Sequence, residues 1–405
     1  MDCKNTMCDM NNLYRAYLET IKSSKWKETT QKFALDYLRN LVKIQDDLEL
    51  QTYQSKKGHE FLLSERGKIR PVTTLHTRDQ VIRHVLCDDI LIPGIRPKLI
   101  YDNGAALKRK GIDFARKRME AHLHKIYIEK GTNEVYGLFG DFSKFYDNVH
   151  HEIAKSQILN IFEQDIYLEW LLEKVFENFQ VDVSYMTEEE FATCMSDIFN
   201  KIEYRKLPKS LQTGEKMMEK SLNIGDQFSL IVGLLYPSEI DTYVKTIRKM
   251  KYYGRYNDDF YVFSDSKEEL LDILHGILKI CDSLHLHLNL KKTKIRKLNQ
   301  PFRYLQIRYR LTETGEVEKQ INPKRIYAMQ RKLKKLQTKI LQGDLPYSAA
   351  EETFKSWMGS FYKIMTKKQR KNMIFLYESL FKKNVEIKKK SGKWKMIIND
   401  KEEEI

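Results

Sequence analysis

Apolar positions along this chain recur with two periods, one typical of helices and one typical of strands. Helical spacing predicts helices within residues 1–50, an amphipathic helix over 267–281 and another over 325–341, which the pair Asn322-Pro323 starts. Apolar and β-branched runs predict a strand over 135–142, a β-hairpin over 252–263 and strand-like pieces around 286–295 and 302–311. Since both patterns occur along the chain, the sequence predicts a fold of helices and strands, which we assign to the α+β class.

The predicted hairpin at 252–263 is unusual in its turn. Its flanks are aromatic and β-branched, whereas Asn257, Asp258 and Asp259 occupy the turn. Two adjacent carboxylates repel each other there, and a divalent cation between them would offset that cost. Asn and Asp also favour turns through backbone geometry alone. Taken by itself, the hairpin is therefore compatible with either a metal site or an ordinary turn.

A third carboxylate, Asp141, closes the predicted strand at 135–142. One carboxylate at a strand end and two in a hairpin are a minimal set for two Mg²⁺ ions in phosphoryl transfer. Carboxylates suit Mg²⁺ because it is a hard cation that prefers oxygen ligands. The alternative for Asp141 alone is a turn or capping carboxylate.

Composition narrows the class of partner. The 405 residues are 41% hydrophobic and 31% charged, which predicts a folded protein of two or three lobes. The net charge is +15 and the pI is about 9.2, with Lys and Arg spread along the whole length. This distribution favours a long polyanion such as nucleic acid over anionic lipid, because no amphipathic lipid-anchor helix stands out.

The cysteines and the apolar runs bear on location. The five cysteines are scattered, with no CxxC pair, which predicts free thiols in a reducing cytoplasm and no zinc site. The N-terminus lacks the apolar core of a secretion signal. The longest apolar run, 228–237, is too short to span a bilayer. We therefore expect a cytoplasmic protein that does not enter a membrane.

Short segments resemble the motifs of reverse transcriptases, in the order that the family places them. DFSKFY at 141–146 resembles motif A, and YNDD at 256–259 resembles motif C. GKIRP at 67–71 with RDQVI at 78–82 resembles the fingers motif of bacterial group II intron-like enzymes, and YDNG at 101–104 with KRKG at 108–111 resembles the next fingers motif. The matches to motifs B, D and E are IGDQFS at 224–229, LHLNLKKT at 286–293 and FRYLQ at 302–306. WMG at 357–359 lies in a thumb-like helical region. The resemblance covers about residues 10–380.

The resemblance implies roles for individual residues. Asp141, Asp258 and Asp259 would hold two Mg²⁺ ions, for which Mn²⁺ can substitute, together with the backbone carbonyl of Phe142. Lys292 would act as a general acid toward pyrophosphate. Residues implied to contact the dNTP are Lys68, Arg70, Tyr146, Ile224, Gly225 and Gln227, and those of the primer grip are Tyr304, Leu305 and Gln306.

Some of these residues have simpler interpretations. Tyr146 falls at the family's steric gate, where an aromatic ring excludes a ribose 2′-hydroxyl, but an ordinary packed aromatic is the alternative. Lys68 and Arg70 would contact the triphosphate through charge-assisted hydrogen bonds, or form a solvated strand face. For Lys292 the alternative is simple surface charge.

Four departures from the family pattern matter. Ile224 stands where many intron-type enzymes have Gln. An aliphatic residue at this position is a feature shared with the diversity-generating branch, and it implies weaker polar control of the base pair. Leu230 stands where a polar residue or proline is usual, and Asn257 is an uncommon middle residue of YxDD. Gln306 replaces the usual glycine of motif E, which puts the backbone of the primer grip in question. None of these changes removes an implied metal ligand.

The resemblance implies a right-hand polymerase with fingers, a palm of antiparallel sheet plus helices, and a helical thumb. The expected segments are N-terminal helices and fingers at 1–135, a first palm part at 136–180, an irregular, charged inserted segment at 181–220, a second palm part at 221–320, the thumb at 321–385 and a charged tail at 386–405. The expected activity is RNA-directed DNA polymerisation, with an RNA template, dNTPs and a cDNA product as partners.

The biological role is open between several classes. No HNH-type Cys/His cluster, RNase H carboxylate set or integrase region is visible, which favours a stand-alone enzyme with a dedicated non-coding RNA. Antiphage defence is the leading hypothesis, with a retron or a diversity-generating element as alternatives. An RNA-dependent RNA polymerase and an RNA-binding scaffold that lost catalysis are rival hypotheses. An oligomer is compatible with the sequence.

Overall fold

The computed structural model describes residues 2–22, 24–65, 68–204, 208–390 and 393–400. They divide into two compact units. The first unit comprises Met1–Ile126 and Val135–Arg296, and the second comprises Tyr127–Glu134 and Lys297–Ile405. Each unit is described by itself below.

Helices and strands alternate along the chain. The α-helices are α1 (Cys3–Cys8), α2 (Met10–Lys22), α3 (Glu28–Leu35), α4 (Tyr37–Glu49), α5 (Thr77–Val85), α6 (Ile92–Ile95), α7 (Ile112–Lys130), α8 (His151–Leu159), α9 (Ile166–Phe176), α10 (Glu188–Ser196), α11 (Lys201–Tyr204), α12 (Gln227–Leu235), α13 (Ser238–Thr242), α14 (Lys267–Ser283), α15 (Pro323–Leu341), α16 (Tyr347–Phe361) and α17 (Lys367–Phe381). The strands are β1 (His59–Glu65), β2 (Lys68–Thr74), β3 (Tyr136–Asp141), β4 (Val181–Asp182), β5 (Met217–Met218), β6 (Tyr253–Tyr256), β7 (Asp259–Ser264), β8 (Lys294–Lys297), β9 (Phe302–Tyr304), β10 (Ile307–Leu311), β11 (Val317–Ile321), β12 (Lys383–Lys390) and β13 (Lys393–Asp400).

A four-stranded sheet forms the centre of the first unit, with the strand order β6-β7-β3-β8. β7 pairs antiparallel with β6 on one side and with β3 on the other. Its apolar residues are buried, as Phe260 and Val262 show. The predicted strand at 135–142 and the predicted hairpin are therefore confirmed, and they are neighbours in one sheet.

Helix α14 covers this sheet through the apolar face that the sequence predicts. Leu270, Ile273 and Ile277 are fully buried, at 0% exposed, in the core that also contains Leu138 of β3 and Val262 of β7. Ser266 caps the helix, because its side chain accepts a hydrogen bond from the backbone N–H of Glu269. Burying one face of a helix against a sheet face gives the sheet a rigid back.

The segment at 181–220 has more order than the sequence suggests. β4 pairs with β5, and α10 begins with a capping box between Thr187 and Glu190. Four buried residues of the segment form a small core of their own: Val183, Met186, Phe199 and Met218. The expectation of an irregular charged stretch is wrong here, because these apolar residues are too widely spaced to show a period.

Helices α15, α16 and α17 pack together in the second unit around Leu333, Phe354, Met358 and Tyr377. As the Asn-Pro pair predicts, α15 starts after Asn322, whose side chain accepts a hydrogen bond from the backbone N–H of Lys324. The structure has three helices between Pro323 and Phe381, and the assignment of 321–385 to a thumb stays a prediction.

The expected charged tail at 386–405 is corrected over most of its length. β12 pairs antiparallel with β13 from Lys383↔Asp400 to Lys390↔Lys393, and residues 401–405 lie outside the described part. Val385, Met396 and Ile398 contribute to the core of the second unit. The high lysine content conceals an apolar alternation that suffices to form a hairpin.

Two features of the described chain bear on disulfide bonds and on membrane crossing. None of the five cysteines, all of which lie within the described ranges, forms a disulfide bond. Among the described residues, no helix combines the length and the apolarity that crossing a membrane requires.

The backbone of 149–151 runs beside that of 219–221: Ser221 N–H donates to Val149 O at 2.9 Å, and His151 N–H donates to Glu219 O at 3.1 Å. The end of the segment at 181–220 is therefore fixed to the start of α8.

His151 gives this junction a dependence on pH. Its ring is 1% exposed, packs on Phe176 and Phe179, and bonds through Nε2 to the carbonyl of Ser221 at 2.7 Å. Burial lowers the pKa of His151 to about 3. In the unfolded chain the ring of His151 therefore binds a proton at about pH 6.5, whereas in the folded chain it stays neutral down to about pH 3. The free energy of unfolding consequently falls as the pH drops below 6.5 toward 3.

We predict that His151→Gln, which keeps a donor for the Ser221 carbonyl, flattens this acid dependence. In urea unfolding at pH 5 to 7, the wild type should lose up to about 1 kcal/mol more per pH unit than the variant. His275→Gln, at an exposed position of α14, is the matched control and should follow the wild type. Parallel pH profiles for wild type and His151→Gln would contradict the prediction.

Candidate active site at the end of the central sheet

Asp141 reaches the site because β3 ends there. Gly140 precedes it, and a side chain at that position would overlap the ring of Phe260 on β7. The two strands can therefore approach closely, and their register places Asp141 directly opposite Asp259. Directly opposed residues of antiparallel strands have Cβ atoms about 4.5–5.5 Å apart. This register brings together two of the carboxylates that the sequence identifies.

The turn between β6 and β7 supplies the third carboxylate. Tyr256 pairs with Asp259, so Asn257 and Asp258 form a two-residue turn. Asn257 has a φ of 52°, in the left-handed region. Asn tolerates this conformation better than most residues, which gives the uncommon middle residue of YxDD a structural reason.

The three carboxylates repel one another. Burial, and then the negative charges of Asp258 and Asp141, raise the pKa of Asp259 to about 7. Burial and the charge of Asp141 also raise the pKa of Asp258. Without added positive charge, one of the two hairpin carboxylates therefore holds a proton near neutral pH.

Lys292 already supplies one positive charge. Its Nζ donates to Asp141 Oδ2 at 2.6 Å, across 151 residues of sequence. Backbone bonds bring it there: the N–H of Asn289 donates to the carbonyl of Asp141 at 2.7 Å, and that of Lys292 donates to Asn289 at 2.9 Å. The strand expected around 286–295 is thus mostly a bridge and a turn, and β8 begins only at Lys294.

The donor set fits a hard divalent cation. Carboxylate oxygens are the ligands that Mg²⁺ prefers, and a dication would relieve the repulsion that raises the pKa of Asp259. Within the described residues, no three His, Cys, Asp or Glu side chains are already arranged as a metal cage. The contact between Lys292 and Asp141 agrees with this, because the ammonium group occupies one carboxylate oxygen.

Phe142 follows Asp141 and is 3% exposed, with its ring against those of Phe145 and Phe260. It forms an isolated antiparallel bridge with Leu288. The two hydrogen bonds of this bridge use the carbonyl of Asp141 and the N–H of Ser143, so the bridge does not use the carbonyl of Phe142. A role for this carbonyl beside Asp141 stays a prediction.

The residues predicted to contact a triphosphate come from two chain segments that meet. The backbone of Ile224 forms a parallel bridge with Val72 of β2, and Thr73 N–H donates to the carbonyl of Ile224 at 3.2 Å. Gly225 has a φ of 104°, where side chains are strained, and lies against Val72. β2 also carries Arg70, whose positive charge acts on Asp258.

Two further predicted residues of this group are placed less directly. The backbone of Lys68 opens β2, while Gly67 lies outside the described residues. The amide of Gln227 is already engaged, because its Nε2 donates to Asp88 Oδ1 at 2.7 Å. A role for Gln227 at a substrate would need this contact to open, so its role stays a prediction.

Tyr146 lies between helix α12 and the hairpin. A side chain at Gly233 of α12 would come within 3.2 Å of its hydroxyl, and burial together with the charge of Asp258 raises the pKa of Tyr146. Within the described residues, the buried Tyr146 hydroxyl has no hydrogen-bond partner. The aromatic ring predicted as a steric gate is therefore packed against α12, within reach of the charge of Asp258.

Comparison with known proteins identifies the family. The model of the family described as reverse transcriptase (RNA-dependent DNA polymerase) matches residues 55–309, which is 255 of the 405 residues. The chain belongs to the reverse transcriptase family. Its fold is accordingly an α+β right-hand polymerase, as the sequence predicts. Among curated proteins, none matches the chain.

Solved structures with similarity to the chain include three telomerase structures. Apo telomerase of Candida tropicalis has a TM-score of 0.44 at 13% identity, over 81% of this chain and 62% of that one. Telomerase of Candida albicans, in complex with a TWJ fragment of telomeric RNA, has a TM-score of 0.44 at 12% identity, over 82% and 60%. Apo Candida tropicalis telomerase truncated from its C-terminal domain has a TM-score of 0.42 at 14% identity, over 65% and 55%. The chain thus spans about 55–62% of the length of these structures.

The residues at the family's primer grip belong to the second unit. Tyr304 ends β9 and pairs with Ile307 of β10, so Leu305 and Gln306 form the turn. Their φ angles are 41° and 79°. Glycine is the residue that adopts such angles without strain, which gives a physical reason for the glycine that reverse transcriptases usually have at the position of Gln306. The grip role of these three residues stays a prediction.

Sequence reasoning missed Arg255, the residue before the YNDD motif. Its side chain is 0% exposed and forms two hydrogen bonds with Asp241, at 2.8 and 2.7 Å. It also donates to the carbonyls of Leu234 at 2.8 Å and of Asn257 at 3.2 Å. Tyr253 donates to Asp241 as well, at 2.5 Å. Arg255 therefore fastens the turn at Asn257 and Asp258 to the end of α12.

A signal for Arg255 existed in the sequence. An arginine between apolar strand residues has to be paired if it is buried, because an uncompensated buried charge is costly. The sequence gives no indication of the partner, since Asp241 is one of 56 acidic residues.

We predict that Arg255→Lys destabilises this reverse transcriptase domain by about 2–4 kcal/mol, because lysine keeps the charge but cannot bond Asp241 and two carbonyls at once. Urea unfolding measures the loss. Arg248→Lys is the matched control: Arg248 pairs with Asp272 at 2.5 Å, with side chains 30% and 63% exposed, and should change stability by less than about 1 kcal/mol. If Arg255→Lys and Arg248→Lys lowered the free energy of unfolding equally, the buried contacts of Arg255 would contribute no more than an exposed ion pair.

Proposed function

We propose that this chain is an RNA-directed DNA polymerase that copies an RNA template into cDNA. The observation that carries the proposal is the meeting of Asp141, Asp258 and Asp259 at one end of the central sheet. These carboxylates lie within the segment that matches the reverse transcriptase family. An acidic cluster at this position is the ligand set that nucleotidyl transfer with divalent metals requires.

Two Mg²⁺ ions are the proposed cofactors, and Mn²⁺ can take their place. Asp141, Asp258 and Asp259 would hold them, together with the carbonyl of Phe142. When bound, the ions would lower the pKa of the primer 3′-hydroxyl and neutralise the leaving pyrophosphate. The raised pKa of Asp259 supports the proposal, since a dication would favour its ionised form.

Lys292 would change partners during the reaction. Its ammonium group now neutralises Asp141, and a metal ion would take over that task. Released from Asp141, the ammonium group could donate a proton or a hydrogen bond to pyrophosphate. Its 54% exposed side chain leaves room for such a movement.

The substrate is proposed to be a dNTP. Arg70, with Lys68 on the same strand, would contact the triphosphate, because its charge already acts on Asp258. Tyr146 would exclude a ribose 2′-hydroxyl, as an aromatic ring held against α12 cannot move far from the sugar. Ile224 and Gly225 would face the base pair, with Gln227 nearby.

Primer extension tests this function. With Mg²⁺, an RNA template and a DNA primer, the wild type should extend with dNTPs far better than with rNTPs. The combined change Asp258→Ala and Asp259→Ala should abolish extension while leaving RNA binding intact, because the basic surface supplies the phosphate contacts. Products from rNTPs alone would make it an RNA polymerase. No extension on any template, with RNA still bound, would favour a non-catalytic scaffold.

The proposed partners are an RNA template, a dedicated non-coding RNA in particular, and the cDNA product, with self-association into an oligomer also compatible with the chain. The net charge of +15 favours contacts to phosphate. The proposed location is the cytoplasm, where five thiols outside any disulfide would stay reduced.

The proposed biological role is bacterial antiphage defence, with a retron or a diversity-generating element as the alternatives. If the role is defence, a host carrying the gene and its neighbours should survive infection by at least one phage. The same cassette with Asp258→Ala and Asp259→Ala should not protect. Absence of protection across a broad phage panel would remove this role.

A further inference from the structure

Tyr101 is an exposed aromatic residue that neither the site nor the family roles above explain. Its ring is 66% exposed. Phe114 of α7 meets it edge-on, with ring centroids 5.7 Å apart at 69°. An exposed aromatic ring offers a flat apolar face on which another ring can stack.

Two cations flank the same ring. The Nζ atom of Lys110 lies 5.2 Å from the Tyr101 centroid and 5.2 Å from that of Phe114. The Cζ atom of Arg118 lies 5.1 Å from the Tyr101 centroid. We call Tyr101, Lys110, Phe114 and Arg118 the aromatic platform. An aromatic ring bordered by cations suits a group that is flat on one side and anionic on the other.

The platform lies in a strongly basic part of the first unit. Residues 96–118 contain eight Lys and Arg and two Asp, a net charge of +6. Burial lowers the pKa of Lys110. The negative charge of Asp102 opposes this shift, whereas the positive charges of Arg96 and Arg118 add to it. Lys108 and Arg109 are exposed beside it. Positive charges that repel one another in this way bind an anion favourably.

The platform is held in place and linked to the catalytic hairpin. Lys110 Nζ donates to the carbonyl of Tyr101 at 2.7 Å. The next residues bond to β6: Arg255 N–H donates to Asp102 O at 3.2 Å, and Gly104 N–H donates to Arg255 O at 2.9 Å. The side chain of Arg255, one residue before the YNDD motif, anchors the catalytic turn. Whatever binds the platform is thus connected to that turn through one strand.

The guanidinium group of Arg118 already pairs with Asp102, so its part is to border the ring. We propose that the aromatic platform binds a single-stranded segment of nucleic acid, by stacking one unpaired base on Tyr101 while Lys110 and its exposed neighbours Lys108 and Arg109 hold the adjacent phosphates. A single strand is favoured over a duplex because paired bases are already stacked and offer no free face. A single-stranded template is what the proposed polymerase needs, so the inference rests on that proposed function and adds a binding site to it.

Binding of short oligonucleotides tests the platform without catalysis. Fluorescence anisotropy with labelled single-stranded RNA, in EDTA and without nucleotides, gives the dissociation constant. Tyr101→Ala should weaken binding about tenfold, within the range for loss of one stacked base. Tyr101→Phe keeps the ring and should stay within about twofold of the wild type. Thermal unfolding checks that both variants fold.

Matched controls separate stacking from general attraction. Trp26 is also exposed, at 77%, with Lys27 Nζ 5.6 Å from its ring, and Trp26→Ala should bind RNA as the wild type does. An oligonucleotide that lacks bases should bind weakly and respond little to Tyr101→Ala. Double-stranded RNA should respond equally little.

Several results would overturn the platform. If Tyr101→Ala bound single-stranded RNA with wild-type affinity, the proposal would be overturned. A surface that binds an acidic protein instead of RNA would give this result. An equal loss with the base-free strand or the duplex would show that Tyr101 does not stack. Failure of the polymerase proposal looks different: the wild type would then bind single strands through Tyr101 but extend no primer.

Discussion

The structure depends on holding three mutually repelling carboxylates in one corner of a sheet. Asp141 and Asp259 face each other across neighbouring strands, and the hairpin turn adds Asp258. Burial strengthens the repulsion, as the raised pKa of Asp259 shows. A folded chain tolerates such a cluster only if other interactions fix the backbone around it. The surrounding residues can be understood as the means of doing so.

Arg255 provides the main interactions that fix the backbone around the carboxylates. Its buried guanidinium group joins Asp241, the end of α12 and the carbonyl of Asn257. Its backbone binds the segment 102–104. One residue therefore connects the turn at Asn257 and Asp258, the helix that supports Tyr146 and the segment that follows Tyr101. Since the interior is tightly packed, a small displacement at any of these would be felt at the others.

Lys292 offsets the cluster from the other side. Its ammonium group is paired with Asp141, and its side chain is 54% exposed. In the mechanism proposed above, the same carboxylate would serve two cations in turn, Lys292 and then a metal ion.

Local sequence determined the elements that carry the site. The α+β class, the strand ending at Asp141, the hairpin at 252–263, the amphipathic α14 and the start of α15 follow from residue periodicity and from turn and cap residues, which act within a few positions of one another. The family motifs add the order of the implied ligands. For these features neighbouring residues suffice, because the relevant energies are local.

Only the tertiary structure decided which distant residues meet. Lys292 bonds Asp141 across 151 positions, and no local pattern identifies that partner. The pairing of Arg255 with Asp241, the position of Tyr101 between Lys110 and Arg118, and the strands at 383–400 also depend on packing. The positive φ angles at Leu305 and Gln306 follow from the pairing of β9 with β10. Each of these is set by the whole fold, because long-range contacts are decided by the sum of all burial and not by one segment's preference.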